Sequence, residues 1–141
     1  MEESGAPRSP AQTFALVFGS VYVLVGLLGF FVADAVTGGS ANDKLIVFPV
    51  NHLHNVVHLA IGGAWLVAAR SSGIARSVNA IIGSVYLLVA LLGFTGIDLM
   101  RTLLNIQGSG DADNFLHLAS GALSLYFGTA GARPQVKEAH V

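Results

Sequence analysis

Asn55-Val56-Val57-His58-Leu59-Ala60-Ile61-Gly62 returns later in the chain as Asn114-Phe115-Leu116-His117-Leu118-Ala119-Ser120-Gly121. Upstream of each copy the same thing happens again. Gly19-Ser20-Val21-Tyr22 returns as Gly83-Ser84-Val85-Tyr86, and Leu27-Leu28-Gly29-Phe30 as Leu91-Leu92-Gly93-Phe94. The order of the blocks is preserved, so the chain reads as one helical hairpin copied in tandem.

The composition says where such a hairpin belongs. Of 141 residues 53% are apolar and 11% are Asp, Glu, Lys or Arg, against about 25% charged in an ordinary soluble domain. That leaves too little polar surface to cover a water-soluble globule. Seven dispersed Lys and Arg against eight Asp and Glu form no basic stripe, so nucleic acid is excluded as a partner. Cysteine is absent, which excludes disulfides, thiolate metal sites and a Cys nucleophile.

A membrane-spanning helix needs roughly 20 mostly apolar residues. Residues 14–33 and 78–97 meet this with no formal charge; residues 47–69 and 114–132 carry histidine and asparagine but no Asp, Glu, Lys or Arg. The expectation is an all-α membrane protein of four transmembrane helices. Residues 14–72 and 73–132 are its two hairpins, related by a pseudo-twofold axis along the membrane normal. Residues 1–13 and 133–141 are polar tails. Ala33-Asp34-Ala35 resembles a signal-peptidase site, but the preceding run is longer than a signal core and recurs as a later span. Arg8, Arg70, Arg76, Arg133 and Lys137 lie in the tails and the second loop, while only Lys44 and Arg101 lie in the first and third loops. This bias predicts both termini in the cytoplasm.

The first and third spans carry stripes of small residues, Gly19, Gly26 and Gly29 and then Gly83, Ala90 and Gly93, that let helices approach closely in lipid. Tyr22 and Tyr86 lie on the same stripes and are expected to hydrogen-bond across the interface. The second and fourth spans carry the ionisable groups. At about 100° per residue, His54, Asn55, His58 and Gly62 share one helix face, with Asn51 a turn above. Asp113, Asn114, His117 and Gly121 occupy the corresponding positions in the second copy. His52 is rotated away from this face. Ionisable groups inside a span are rare and mark function by default.

The motifs Leu53-His54-Asn55-Val56-Val57-His58-Leu59 and Asp113-Asn114-Phe115-Leu116-His117-Leu118 resemble a bacterial membrane family, number 4383 among the domains of unknown function. The resemblance runs over essentially the whole helical region. It implies four transmembrane helices and no activity, and the expected location is a bacterial inner membrane.

Three readings of the polar face stand open. In the first, His54, His58, Asp113 and His117 hold a transition metal ion, zinc or iron, and Asn51, Asn55 and Asn114 orient the imidazoles. In the second, His58 and His117 ligate a haem, or one of them a chlorophyll-type tetrapyrrole, with Gly62 and Gly121 leaving room for the flat ring. In the third, the face is a hydrogen-bond network that fixes helix register, with Asp113 capping the fourth span or pairing with Arg101. The chain then serves as an accessory subunit of a larger membrane complex or as a homo-oligomer. No nucleophile elbow or phosphate loop is present, and a non-catalytic role is expected.

Overall fold

A computed structural model describes residues 7–130. The expected tail at 133–141, with Arg133 and Lys137, lies outside the described residues. Among those residues five helices and one small hairpin follow in the order α1 (Pro10–Gly29), β1 (Lys44–Leu45), β2 (Phe48–Pro49), α2 (His52–Ala68), α3 (Ser72–Phe94), α4 (Asp98–Leu104) and α5 (Ala112–Thr129). The protein is all-α apart from that two-stranded antiparallel pair.

The helix starts differ from the hydropathy limits because polar caps set them. α1 begins before residue 14, at Pro10: the Ser9 hydroxyl accepts from the Gln12 amide at 3.3 Å while the Gln12 side chain accepts from the Ser9 amide at 3.0 Å. This reciprocal pair satisfies two otherwise free donors, and Pro10 occupies the first-turn position where no N–H is needed. α2 begins at His52, not 47, because the Asn51 side chain accepts from the His54 amide at 2.8 Å. α3 takes in Arg76 and starts well ahead of residue 78.

α1 packs along α2, and α3 along α5. The small residues explain why. A Cβ on Gly19 would lie 2.9 Å from the Gly62 carbonyl oxygen, and one on Gly62 would lie 2.8 Å from the Val23 amide nitrogen. In the second pair a Cβ on Gly83 would lie 2.5 Å from the Leu125 nitrogen, and one on Gly121 would lie 2.9 Å from the Leu87 nitrogen. The helix backbones therefore touch at matched positions in the two copies. The pairs meet each other through α1, α2, α3 and α5. Between them lies an aromatic core of Phe14, Phe18, Tyr22, Trp65, Tyr86 and Phe127.

The segments joining α1 to α2 and α3 to α5 form a cap over one end of the bundle, which loop composition did not announce. Gly38 donates its amide to the Thr102 carbonyl at 2.6 Å. The Asn51 amide group donates to the Gly38 and Leu103 carbonyls, both at 3.0 Å. The fully buried Asn105, in the left-handed conformation that ends α4, donates to the Ser40 and Val50 carbonyls at 3.0 and 3.1 Å. Val50, Met100 and Ile106 fill the space beneath. At the opposite end, the Gln12 side chain donates to the Ala69 carbonyl and the buried Asn79 side chain to the Ala11 carbonyl.

Candidate metal centre

His54 and His58 lie one turn apart on α2 and His117 lies on α5, all three buried directly under the cap. Their ring centroids are 4.5 Å apart for His54–His58 and 5.9 Å for His54–His117. One nitrogen from each of the three rings lies within 4.8 Å of the other two. The spacing of four on α2 puts two rings on one face, and the copied motif on α5 brings the third toward them.

The surroundings leave several of these nitrogens without partners. Neither ring nitrogen of His58 makes a hydrogen bond, nor does Nδ1 of His117; the His54 ring lies beside the Pro49 and Leu104 carbonyls. A buried polar group without a partner costs roughly 1–3 kcal/mol, and the three rings together present a set of nitrogen donors of the kind that can hold a metal ion. Each outer ring packs on the tyrosine of its own copy: Tyr22 lies 5.0 Å from His58 and Tyr86 lies 5.1 Å from His117. The two tyrosines stack on each other at 5.6 Å. Their hydroxyls are buried, that of Tyr22 beside the Tyr86 hydroxyl and the Ser120 side chain. They also provide the wall on which the imidazoles rest.

The remaining predicted residues separate from the imidazoles. Asp113 is fully buried on α5 but does not belong to the three-ring group. It lines a neighbouring cavity together with His58. It does not cap its helix: the Asp111 carboxylate does, accepting from the Asp113 amide at 3.0 Å. Nor does it pair with Arg101, which lies 3.5 Å from Asp98 on the surface. Asn51 is committed to capping α2 and to two loop carbonyls rather than to an imidazole. Asn55 packs its amide against Gly29, and Asn114 packs against Gly93 while donating to the Gly108 and Ser109 carbonyls at 2.8 and 3.2 Å. These two asparagines lock α2 onto α1 and α5 onto α3. His52 is off the face and stacks on Phe30 at 5.3 Å.

The glycines thought to leave room for a flat ring face elsewhere. Gly62 abuts α1 backbone and Gly121 abuts α3 backbone, so neither opens a slot beside the histidines. Sequence reasoning also missed a polar pair at the far end, where the Ser124 hydroxyl donates to the Asn79 carbonyl at 2.8 Å. The signal was present as a difference between copies. Asn79 and Ser124 stand where the first copy has Ala15 and Trp65.

Fold and site together define a class: an all-helical protein built from two similar helix pairs, with a buried cluster of three histidines beneath a loop cap. The chain belongs to the family described as domain of unknown function DUF4383, whose match covers residues 12–130. No curated protein and no solved structure matches it.

Proposed function

We propose that this is a four-span membrane protein whose His54, His58 and His117 hold a transition metal ion, zinc or iron, inside the bilayer. The observation that carries the metal reading is three buried imidazoles from two helices, with donor nitrogens within 4.8 Å of one another and both His58 nitrogens unbonded. An ion at about 2.0–2.1 Å from each nitrogen sets neighbouring donors roughly 3.4 Å apart. Side-chain adjustments on the order of an ångström bring the three rings to that spacing. Three imidazoles suit zinc, copper, iron or nickel, and leave a further coordination position open.

The membrane reading rests on an inverted distribution of polarity. α1 and α3 are each long and apolar enough to cross a bilayer. α2 and α5 are less apolar only because their buried faces carry His, Asn, Asp and Ser. The outward residues of all four are mostly apolar, among them Leu24, Val56, Val67, Leu88, Leu91, Phe115 and Leu123. An apolar exterior around a polar interior is what a lipid environment selects. The matched Gly19–Gly62 and Gly83–Gly121 crossings, and the matched Tyr–His contacts, support a pseudo-twofold relation with its axis along the membrane normal. Arg8, Arg70 and Arg76 lie at one end of the bundle and Lys44 and Arg101 at the other. The positive-inside bias assigns the former end to the cytoplasm and the cap to the outer face of a bacterial inner membrane.

Elemental analysis of protein extracted in mild detergent tests the metal. One ion per chain is expected in the wild type and in His52→Ala, and a loss of at least tenfold in His58→Ala and His117→Ala. Metal-free protein that co-purifies with a larger membrane complex would instead support the accessory-subunit reading, and a Soret band the haem.

A further inference from the structure

At the end of the bundle opposite the cap, a cavity opens where the starts of α1 and α3 meet the end of α5. Its volume is about 320 Å³. Ser9, Ser72, Arg76 and Tyr126 give it a polar side, and Pro10 and Phe127 an apolar one. Arg76 is half-buried, and its guanidinium makes no hydrogen bond or ion pair with a described residue. Its Nε is enclosed, which leaves the terminal nitrogens to face the cavity. The Ser72 hydroxyl donates to Ser9 Oγ at 2.9 Å, and Ser9 Oγ also accepts from the Gln12 amide. A hydroxyl oxygen that accepts twice still has its own proton to give. Among the described residues no carboxylate lies at this end: Asp34, Asp43, Asp98, Asp111 and Asp113 all belong to the cap end. Pro10 and Phe127 also border an apolar groove of about 430 Å³, which follows α1 past Phe14, Val17 and Phe18 and has Arg8 at its mouth. From Pro10 to Phe18 the helix rises about 12 Å.

We propose that the two adjoining spaces bind one anionic phospholipid of the cytoplasmic leaflet, with its phosphate against Arg76 and the Ser9 hydroxyl and an acyl chain along the α1 groove. Charge and shape both argue for this ligand. A guanidinium with open terminal N–H groups matches the geometry of a phosphate. Arg8 and Arg76 flank the shared edge at Pro10 and Phe127, with no described carboxylate to neutralise them. Basic pockets between spans on the cytoplasmic side suit anionic headgroups. A soluble phosphate would use the polar cavity alone, whereas the groove that continues from it serves a phosphate carrying a hydrocarbon chain. The proposal rests on the membrane reading and its orientation, and is independent of the metal.

The test uses the full chain in mild detergent and native mass spectrometry after addition of phosphatidylglycerol and phosphatidylcholine with identical acyl chains. One retained phosphatidylglycerol per chain is expected, bound about tenfold tighter than phosphatidylcholine. Arg76→Gln should weaken phosphatidylglycerol about tenfold. Ser72→Asp should weaken it at least as much while sparing the fold, because a carboxylate in the first turn of α3 suits the helix. Arg70→Gln removes the same charge from the turn between α2 and α3, outside both spaces, and should cost less than about threefold. Val17→Trp fills the groove and should weaken phosphatidylglycerol with the phosphate contacts intact. Glycerol 3-phosphate, which has the phosphate without the chains, should not displace the lipid. The proposal is overturned by equal retention of the two lipids, by equal losses in Arg76→Gln and Arg70→Gln, by full binding in Val17→Trp, or by displacement with glycerol 3-phosphate, which would give the site to a soluble phosphate. It is also overturned by a gain of about tenfold in the combined variant Glu2→Gln, Glu3→Gln, Glu138→Gln, which would give the cavity to a carboxylate of the chain's own ends. Failure of the membrane reading looks different: the chain then stays soluble and monomeric without detergent.

Discussion

Among the described residues two outside glycine adopt a positive φ, and only one of them has a chemical reason to do so. Asn105 sits at φ 60° at the end of α4, and its amide uses that position to hold the Ser40 and Val50 carbonyls. Asparagine tolerates the left-handed region. Ile46 sits at φ 63° at the tip of the β1–β2 turn and is 81% exposed. For a β-branched residue that conformation costs about 1–2 kcal/mol. Replacement by glycine should therefore act in opposite directions at the two sites. Ile46→Gly should raise stability by about 1 kcal/mol. Asn105→Gly should lower it by about 2 kcal/mol, since it removes two bonds worth about 1 kcal/mol each and strands their buried carbonyls. Thermal unfolding in detergent reads both, and two shifts of the same sign would contradict this account of the cap.

At the scale of the helix, close approach depends on the missing Cβ rather than on glycine as such. Gly83 faces backbone, and an added Cβ would lie 2.5 Å from the Leu125 nitrogen. Gly63, one residue beyond the α1 contact, has nothing within 4 Å of its Cβ position. Gly83→Ala should force α3 off α5 and cost about 1–3 kcal/mol. Gly63→Ala should gain up to about 1 kcal/mol from helix propensity. A destabilised Gly63→Ala, or a neutral Gly83→Ala measured by the same thermal unfolding, would sink the backbone-contact description of the pairs. These contacts were legible in the sequence because helical spacing alone lines up Gly19 and Gly26, and the repeat supplies the partners. The hairpin and α4 were not. Two-residue strands and a seven-residue helix are too short to carry a periodicity, and the cap is held by asparagine side chains reaching backbone atoms far along the chain.

For the molecule as a whole, the three imidazoles were readable because each lies on the inward face of a helix whose rotation the apolar pattern fixes. The roles of their polar neighbours were not readable. Angular position places Asn51, Asn55, Asp113 and Asn114 near the histidines, but it does not say which nearby groups compete for them. Asn51 and Asn114 are taken by the helix start and by loop carbonyls. Asn55 is turned against Gly29. Asp111, two residues earlier, is the cap that Asp113 resembled. What remains is a buried polar centre under a loop cap, with a separate side cavity that reaches one of its three rings. The metal reading predicts a definite local structure for that centre. X-ray absorption at the metal edge, on protein purified from membranes in mild detergent, should find three imidazole nitrogens at about 2.0–2.1 Å, reduced to two in His117→Ala. A shell made only of oxygen scatterers, or a wild-type spectrum that His117→Ala leaves unchanged, would contradict it.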